Sequence, residues 1–411
     1  MKNGWVTKKL GEVCETFNGI WKGSKPPLRN VGVIRSTNFT KECGFDSRDE
    51  KTVFIDVEEK KFLKRKLQCG DIVVERSGGG PNQPVGRVLY FNLKDGDYTI
   101  SNFTSALRVK DNGELDSYYL YRALCALYFS GVTAKMQGNS INIINLHFDE
   151  YLNLDIPIPP LSEQNRIVKK IDAAFEKIDA LKANAEKNLA NAKELFQSAL
   201  DEAMRPKKGW VEKRLGEVCC KIGSGATPRG GKSSYCRDGI SLIRSMNVYD
   251  CSFEYSELAH INNSQASDLD NVTIESDDVL INITGASVAR CCVVPSDVLP
   301  ARVNQHVSIL RIADKNKILP KFLCYLLVAP SAKRVLLGIG EAGSTRQALT
   351  KGDLSDFSIH IPDAVEQKRI VQDVGVMLEG TNTLQRNYTQ QIADCVEMRQ
   401  AILREAFEGR L

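Results

Sequence analysis

The chain has 411 residues, with 55 basic and 51 acidic side chains and a formal net charge of +4. This length exceeds one ordinary domain and predicts two or three folded units. The near balance of charge excludes a global positive field, so any binding of nucleic acid must use local basic patches.

Cysteine usage and hydropathy exclude further classes. The 12 cysteines and four histidines contain no C-x-x-C spacing, so we expect no metal site and no disulfide framework, only small buried thiols in a reducing compartment. The N-terminus lacks the apolar run of a signal peptide, and the longest apolar run, at 322–329, is too short to cross a bilayer. These features predict a cytoplasmic protein without a membrane partner.

An internal repeat organises the chain. GWVTKKLGEVC at 4–14 and GWVEKRLGEVC at 209–219 agree at nine of eleven positions. Further matches follow in the same order: Ile-Arg-Ser at 34–36 and 243–245, Leu-Arg at 107–108 and 310–311, and Glu-Gln at 163–164 and 366–367. The chain is therefore a tandem duplication.

The first half begins with a mixed segment and ends with a helical one. Residues 1–155 are rich in glycine and short alternating runs; 71–75 and 86–91 predict strands, and 117–127 predicts a helix. The proline cluster at 156–160 marks a boundary. Residues 163–204 contain no Gly or Pro and predict one helix of about 40 residues, about 60 Å long.

The second half repeats this order. Residues 207–360 form the second mixed segment, with a strand predicted at 306–312 and a helix at 320–328. After the boundary at 361–362, residues 366–407 predict the second long helix, in which Gly375 and Gly380 make the local helix weaker. The predicted domains are 1–155, the central helix 156–206, 207–360, and the C-terminal helix 361–411.

Apolar residues in the two long helices alternate steps of three and four, as in a coiled coil. The predicted seam comprises Ile171, Ile178, Leu181, Asn188, Leu195, Val374, Leu384, Gln391 and Met398. Because both helices keep one register and place an amide, Asn188 or Gln391, at the same position in it, we expect them to pack on each other. We expect antiparallel pairing within one chain, since this would put the two mixed domains at opposite ends. The alternative is that each helix docks only on its own mixed domain.

The whole chain resembles the specificity (S) subunits of Type I restriction-modification enzymes. The resemblance rests on the opening G-W-x-x-K-[KR]-L-G-E-V, the boundary phrase I-P-x-P-x-x-E-Q-x-R-I-V at 156–168, and the closing LREAFEGRL at 403–411. Asn304-Gln305-His306 and 343–347 are similar to phrases of the target-recognition domains. Departures are Asp363-Ala364, where the first boundary has Pro160-Leu161, and the two glycines of the second helix.

The resemblance implies a mixed α/β (α+β) fold with a pseudo-twofold internal repeat. Two target-recognition domains would each read one half of a bipartite DNA site, separated by two long antiparallel coiled-coil-like helices that set the spacer. The implied partners are double-stranded DNA, two methyltransferase subunits and restriction (motor) subunits. No cofactor is implied, because catalysis belongs to the partners.

Three stretches imitate catalytic or phosphate-binding motifs. The glycines at 78–80 could hold a phosphate or form a flexible turn, and we leave both open. Gly230-Gly231-Lys232-Ser233 resembles the end of a P-loop, but Ala226 stands where that motif needs glycine. Asp363, Glu366 and Lys368 imitate a nuclease signature, yet helix-dipole effects, with Ser162 as the N-cap of the first helix, explain this region better. We therefore expect no catalytic site and no metal.

Base reading requires Arg, Lys, Asn and Gln on loops beside strands, since these side chains distinguish base edges. The candidates in the first half are Arg35, Asn38, Arg76, Asn82, Gln83, Arg87, Asn102, Gln137 and Asn139. Those in the second half are Arg229, Lys232, Arg244, Asn247, Asn282, Arg290, Asn304, Gln305, Arg346 and Gln347. Positions matched between halves, such as Arg35 and Arg244, are expected to serve phosphate contact or folding, because the halves should read different bases.

The sequence thus predicts a DNA-binding specificity subunit that is not itself an enzyme. Two alternatives remain at this point: a coiled-coil adaptor between proteins with no DNA role, and a DNA-modifying enzyme with an unrecognised active site.

Overall fold

The structure, a computed structural model, describes residues 4–80, 83–111, 113–140, 143–341 and 347–410. The chain forms two compact units. Unit 1 consists of Met1–Glu186 with Gln390–Leu411, and unit 2 consists of Lys187–Thr389. Each unit therefore combines one mixed segment with parts of both long helices.

The first half of the chain contains twelve described strands and five described α-helices. They are Val6–Lys9 (β1), Leu10–Val13 (α1), Cys14–Asn18 (β2), Leu28–Ile34 (β3), Val53–Glu58 (β4), Glu59–Arg65 (α2), Ile72–Glu75 (β5), Ser77–Gly78 (β6), Val88–Tyr90 (β7), Tyr98–Ile100 (β8), Thr104–Val109 (β9), Ser117–Phe129 (α3), Gln137–Ser140 (β10), Ile143–Leu146 (β11), Phe148–Leu152 (α4), Asp155–Ile158 (β12) and Leu161–Ala203 (α5).

The main sheet of unit 1 has the strand order β2-β9-β5-β7 and is antiparallel throughout. A second sheet has the order β4-β3-β8, a third has the order β10-β11-β6, and β1 pairs with β12. Ile72, Val73 and Val74 are all fully buried, because both faces of β5 are covered. This explains why that strand has a continuous apolar run instead of alternation.

The second half contains eleven described strands and six described α-helices. They are Val211–Arg214 (β13), Leu215–Val218 (α6), Cys219–Ser224 (β14), Ile240–Ile243 (β15), Val248–Tyr249 (β16), Ser252–Phe253 (β17), Ala259–Ile261 (β18), Asn263–Ser267 (α7), Val279–Asn282 (β19), Cys291–Val293 (β20), Ala301–Val303 (β21), Val307–Ile312 (β22), Pro320–Val328 (α8), Pro330–Glu341 (α9), Lys351–Asp356 (α10), Ser358–Ile361 (β23) and Ala364–Phe407 (α11). The main sheet of unit 2, β14-β22-β19-β20, repeats the order of unit 1.

The predicted elements are confirmed in both halves, with small shifts of their ends. The helix expected at 117–127 extends to Phe129, and the helix at 320–328 agrees at both ends. The two long helices are continuous over 43 and 44 residues. Gly375 and Gly380 do not interrupt the second.

An ion pair between a half-buried arginine and a buried aspartate recurs at the same place in each main sheet. Arg108 donates two hydrogen bonds to Asp71, at 2.8 and 2.7 Å, and Arg311 donates two to Asp278 at the same distances. These hydrogen bonds raise the pKa of both guanidinium groups above the ordinary value. The repeated Leu-Arg phrase therefore stabilises the sheet through a bidentate pair.

The Glu-Gln of the boundary phrase also has a structural explanation. Gln164 is fully buried; its carbonyl accepts from the backbone N–H of Asp116 and its amide donates to the carbonyls of Glu114 and Pro159. Gln367 makes the matching three bonds in unit 2. Each glutamine thus joins the start of a long helix to the segment before an earlier helix, α3 in unit 1 and α8 in unit 2.

The start of the first long helix differs from the prediction that Ser162 is its N-cap. Ser162 lies inside α5, which begins at Leu161, so Ser162 is not the N-cap. In α11 the cap is Asp363, whose carboxylate accepts from the backbone N–H groups of Val365 and Glu366. The Pro160 of the first boundary has no side-chain acceptor and therefore cannot cap in this way.

The long helices pack on each other within each unit. In unit 1, the guanidinium of Arg399 in α11 lies over the ring of Phe175 in α5, 4.3 Å from the ring centre. Arg399 also donates a hydrogen bond to the carboxylate of Asp179. In unit 2, the late part of α5 around Leu200 shares a core with Val374 at the start of α11. The early part of each helix thus meets the late part of the other, which is the antiparallel order that the sequence predicted.

One of the two columns of the predicted seam is buried, and the other is exposed. The column with Ile171, Ile178 and Val374 is buried, but Leu181, Asn188 and Leu195 are exposed, Leu195 by 72%. In α11, Leu384, Gln391 and Met398 are likewise exposed. The second inward column lies four residues after the first, at positions such as Phe175 and Arg399. The three-four alternation allows two heptad registers. Both bury the positions of Ile171 and Ile178, but one adds the position of Ala174 and the other that of Phe175. Burying Phe175 removes more apolar area from water than burying Ala174.

The cysteines are mostly inside the fold, and the apolar helices are short. All 12 cysteines are free thiols; most are buried or half-buried, but Cys69 and Cys220 are exposed. Among the described residues, no single helix has the length and hydropathy of a membrane span. The pair α8 and α9 meets that test only jointly, across a bend of 68°, and α8 lies in the core of unit 2.

Candidate nucleic-acid interface

One edge of the main sheet in unit 1 collects polar side chains and loops. The end of β2, the start of β9 and the end of β5 meet there, since Asn18 pairs with Ser105 and Glu75 with Thr104 in the strand register. The loop after β2 and the turn before β9 extend from this edge. We call this set of loops the loop edge of unit 1.

Unit 2 has an equivalent loop edge. Ser224 at the end of β14 pairs with Ser308, and Asn282 at the end of β19 pairs with Val307. Backbone hydrogen bonds define further matched positions: Arg76 donates to the carbonyl of Phe103, and Ile283 donates to the carbonyl of His306. Phe103 and His306 are therefore structural counterparts, as are Arg76 and Ile283.

A glycine fixes the start of each exposed loop against the sheet. A Cβ atom at Gly19 would lie 2.3 Å from the carbonyl carbon of Ser101, and one at Gly225 would lie 1.8 Å from the carbonyl oxygen of Val303. Only glycine fits at these distances. The loops that follow, 20–27 and 226–239, therefore leave the sheet at the same place in both units.

Two of the matched candidates are structural. Asn38 and Asn247 are fully buried. Each accepts from the backbone N–H three residues earlier, at Arg35 or Arg244, and donates to a backbone carbonyl, that of Asp46 or Glu254. These asparagines hold a turn with fully buried side chains, and we therefore no longer propose them as base readers.

Arg35 and Arg244 are half-buried, and their Nε atoms are buried without a hydrogen-bond partner among the described residues. Arg244 also donates to the carbonyl of Glu257 and lies over the ring of Tyr235. Folding or phosphate contact stays the prediction for this matched pair.

A second pair of matched arginines behaves differently in the two units. Arg87 is 5% exposed and donates two hydrogen bonds, both 2.8 Å, to the buried carboxylate of Glu75. Burial lowers the pKa of Arg87, but the bonds and charge of Glu75 outweigh it, so the pKa is raised overall. Arg87 is thus a core residue, and a base contact by it is not supported. With its amide oxygen facing the guanidinium, Gln83 accepts from Arg87 at 2.7 Å.

In unit 2, Asn282 stands at the position of Glu75 and is fully buried. Its amide donates to the carbonyl of Ser245, which makes it structural too. The counterpart of Arg87, Arg290, is half-buried and lies over the ring of Tyr249 at 4.6 Å. Arg290 therefore stays in the contact set.

The loop edges of the two units differ in chemistry. In unit 1, Arg76 lies over the ring of Phe148 at 4.5 Å and donates to Asn18, while half-buried Asn102 and 50%-exposed Phe103 form the turn before β9. In unit 2 the matching turn is a polar chain. Thr227 donates to exposed Gln305, whose amide lies 3.2 Å from His306, and His306 in turn contacts Thr284.

The remaining candidates occupy several settings. Arg229 and Lys232 are exposed on the loop of the second edge, and Gln137 is half-buried on β10. Asn304 is 5% exposed and accepts from the N–H of His306, so it supports the turn; Gln347 donates to Glu341. Asn82 and Arg346 lie outside the described residues, as does the side chain of Asn139.

Sequence reasoning missed the aromatic part of this surface. Trp21, in the loop after β2, is 76% exposed, and Phe103 is in the adjoining turn. The sequence did contain a signal for these loops, which was their charge. Residues 16–41 include five basic side chains and no acidic one, and residues 218–237 include four basic side chains and no acidic one. Both runs contain the loops that leave the loop edges, so the balanced net charge of the chain concealed two basic stretches of sequence.

The motifs that imitate catalysis have structural roles. Gly231–Ser234 is one 3-10 turn followed by extended backbone, and not the α-helix that a P-loop requires. Near the glycines at 78–80, the N–H groups of Ser77 and Gly80 already donate to carbonyls, which favours the turn over a phosphate cradle. In the described part of the chain, no three His, Cys, Asp or Glu side chains could together hold a metal ion.

Comparison with known proteins identifies the family. The model of the Type I restriction modification DNA specificity domain matches the chain twice, at residues 2–191 and 207–393. The chain belongs to this family. Both matches begin near the repeated Gly-Trp-Val phrase, so the duplication seen in the sequence is a duplication of the family's domain. Membership makes the chain a DNA specificity subunit and not a catalytic one, as predicted, and does not favour the adaptor and enzyme alternatives.

Relatives of the family match along the whole length. The specificity subunits of the Type I restriction enzymes StySPI of Salmonella potsdam and EcoKI of Escherichia coli (strain K12) are 23% and 22% identical. Each comparison covers 100% of this chain and 90% of the relative.

Two solved structures have the same fold. A chain from a study of complex assembly and conformational transition of the type I R-M system has a TM-score of 0.77 at 23% identity, covering 100% of this chain and 99% of that one. The HsdS subunit from Thermoanaerobacter tengcongensis has a TM-score of 0.56 at 22% identity, covering 100% and 98%. The tandem mixed fold with a long central helix is thus that of the family.

Proposed function

We propose that the chain reads a bipartite DNA site, with the loop edge of unit 1 contacting one half and that of unit 2 the other. One observation carries the proposal: the two edges share a backbone frame but differ in side chains. Phe103 and Arg76 in unit 1 stand where unit 2 has His306 and Ile283. Identical frames with different donors and acceptors are what two different base sequences require.

Charge at the two loops supports the same interface. The acid-free runs 16–41 and 218–237 place exposed Lys22, Lys25, Arg229 and Lys232 on these loops. Phosphate contacts by such residues supply the sequence-independent part of binding, while Arg76, Gln305 and Asn102 are the proposed base readers.

We further propose that α5 and α11 set the spacer between the half-sites and dock two methyltransferase subunits, which restriction subunits join for cleavage, in the cytoplasm. The duplication supports this stoichiometry, because each unit offers the same elements once. One relative of the same fold comes from a study of R-M complex assembly.

The test exchanges one recognition segment and reads the methylated sequence. Strands β13 and β23 pair with each other, Val211 beside Ile361, so the chain enters and leaves this segment at adjacent points. Replacing residues 207–361 with the matching segment of a relative keeps both long helices intact. Methylation by the assembled complex should then change in one half-site only.

The matched control exchanges residues 6–158, bounded by the pair β1 and β12, and should change the other half-site only. Altered bases in both halves after either exchange would contradict independent reading.

A binding assay tests the phosphate contacts directly. Lys232→Ala should weaken the binding of a mixed-sequence duplex and reduce the slope of log affinity against log salt by about one. Lys315→Ala removes the same charge beyond the opposite end of β22 and should leave the slope unchanged. Equal slopes for the two variants would remove this loop from the interface.

A further inference from the structure

Trp21 is the most exposed large apolar side chain of unit 1 among the described residues, at 76%. An indole left in water forfeits the free energy that its burial would release. It occupies a loop and does not belong to a core helix or strand.

The backbone on both sides of Trp21 is anchored. Ile20 is buried with Val31 and Phe62, and its N–H donates to the carbonyl of Ile100. Two residues after Trp21, the N–H of Gly23 donates to the carbonyl of Asp56 at 2.8 Å, and a Cβ at Gly23 would lie 2.7 Å from the nitrogen of Glu58. Trp21 and Lys22 are therefore held outward on a short, fixed segment.

The loop of Trp21 carries basic side chains, Asp56 and Glu58 of β4 lie beside Gly23, and a second aromatic ring lies in the adjoining turn. Lys22 and Lys25 are exposed on the same loop, and residues 16–41 contain no acidic side chain. Phe103, 50% exposed, lies in the turn against which Gly19 packs. Exposed aromatic rings between cations are the combination that stacks on bases while the cations meet phosphates.

We propose that Trp21 is a stacking residue, which inserts against the bases of the half-site read by unit 1. The inference rests on the proposed DNA-binding function and adds to it a wedge confined to one half. The matching loop of unit 2 begins with Ala226, Thr227 and Arg229, and its one aromatic residue, Tyr235, is half-buried with the guanidinium of Arg244 over its ring. Unit 1 thus recognises its half-site partly by how readily a base step opens, and unit 2 by polar contacts.

Intrinsic fluorescence tests this directly, because the chain has only three tryptophans. Trp5 and Trp210 are half-buried. The probe is a short duplex selected from a random pool by the full wild-type chain. Adding it should quench the emission of the wild type and shield it from acrylamide, and the quenching should be lost in Trp21→Phe, in which only the reporter ring is removed.

Affinity separates stacking from charge. Trp21→Ala should weaken binding of the selected duplex by roughly 5- to 150-fold without changing the salt slope, since stacking releases no counterions. Trp21→Phe should retain most of the affinity. Leu63→Ala, which removes a side chain of similar exposure on α2, should have no effect.

The outcomes distinguish the two proposals. Duplex binding with unquenched Trp21 and an unweakened Trp21→Ala variant overturns the wedge and leaves the DNA-reading proposal standing. Quenching by an added methyltransferase subunit without DNA would assign Trp21 to a protein contact and also overturns it. A wild-type chain that binds no duplex overturns both.

Discussion

Replacing Gln367 with alanine removes three hydrogen bonds that hold the start of α11 in unit 2. Its carbonyl accepts from the N–H of Leu319 at 2.9 Å, and its amide donates to the carbonyls of Lys317 and Pro362 at 2.8 and 2.9 Å. The side chain is fully buried, so water does not replace these partners without a structural change.

The expected loss of stability follows from that count. A hydrogen bond contributes about 1 kcal/mol net, and a buried group left without a partner costs at least that much, so three bonds amount to about 3 kcal/mol. Such a change raises the population of the locally open state by roughly a hundredfold or more. The same substitution at Gln164 should act on unit 1 by the same amount, because its three bonds match.

Native-state hydrogen exchange measured by mass spectrometry reports each unit separately, which a single melting curve of a two-unit chain does not. Gln367→Ala should speed exchange around Leu319 and in the first turns of α11. Gln391→Ala, on the same helix but exposed, should stay within about 0.5 kcal/mol of the wild type. A Gln367→Ala variant that exchanges like the wild type, or a Gln391→Ala variant that is equally destabilised, would refute the reasoning.

Three further outcomes follow. Asp278→Asn removes the buried carboxylate from Arg311, which keeps Glu275 and the carbonyl of Thr273, and should cost about 2 kcal/mol in urea unfolding. Asp277→Asn, at an exposed position, should be nearly neutral. Similar losses for the two variants would contradict this. Iodoacetamide should label Cys69 and Cys220 first in the native chain, because these thiols are exposed. Burial raises the pKa of Cys14 and Cys292 to about 12, so these two should react late. Early labelling of Cys14 or Cys292, detected by mass spectrometry, would be inconsistent with the fold. Inserting four residues after Asn188 and four after Gln391 lengthens each helix by about 6 Å. Because one base pair spans about 3.4 Å, the spacer of the methylated site should gain one or two base pairs. An unchanged spacer in an active complex would show that the helices do not set its length.

The sequence alone determined the duplication, the family and most of the element pattern. Repetition of whole phrases, as in 4–14 and 209–219, is visible without coordinates, and so is helical composition over 163–204. Helix α8 agreed at both ends because Pro320 at its first turn is a local signal. These features depend on residues that are close together in the sequence, so they can be predicted without coordinates.

The seam shows where local information ended. Ile171 and Ile178 satisfy both possible frames of the three-four alternation, and the sequence offers apolar residues to each frame. Only the packing of Phe175 against Arg399, more than two hundred positions away, selects the frame that leaves Leu181 in water. A choice between two nearly equal local patterns is made by the partner surface, which is a property of the tertiary structure.

The interface shows the same division. Candidate base readers were chosen by residue type, and type does not distinguish the buried Asn38, Asn247, Asn282 and Arg87 from the exposed Arg229 and Lys232. Whether an amide or guanidinium faces water depends on which backbone carbonyl or carboxylate lies opposite, as Glu75 does for Arg87. The same holds for Trp21: composition marks it as a core residue, and only its two anchored neighbours, Ile20 and Gly23, hold it at the surface.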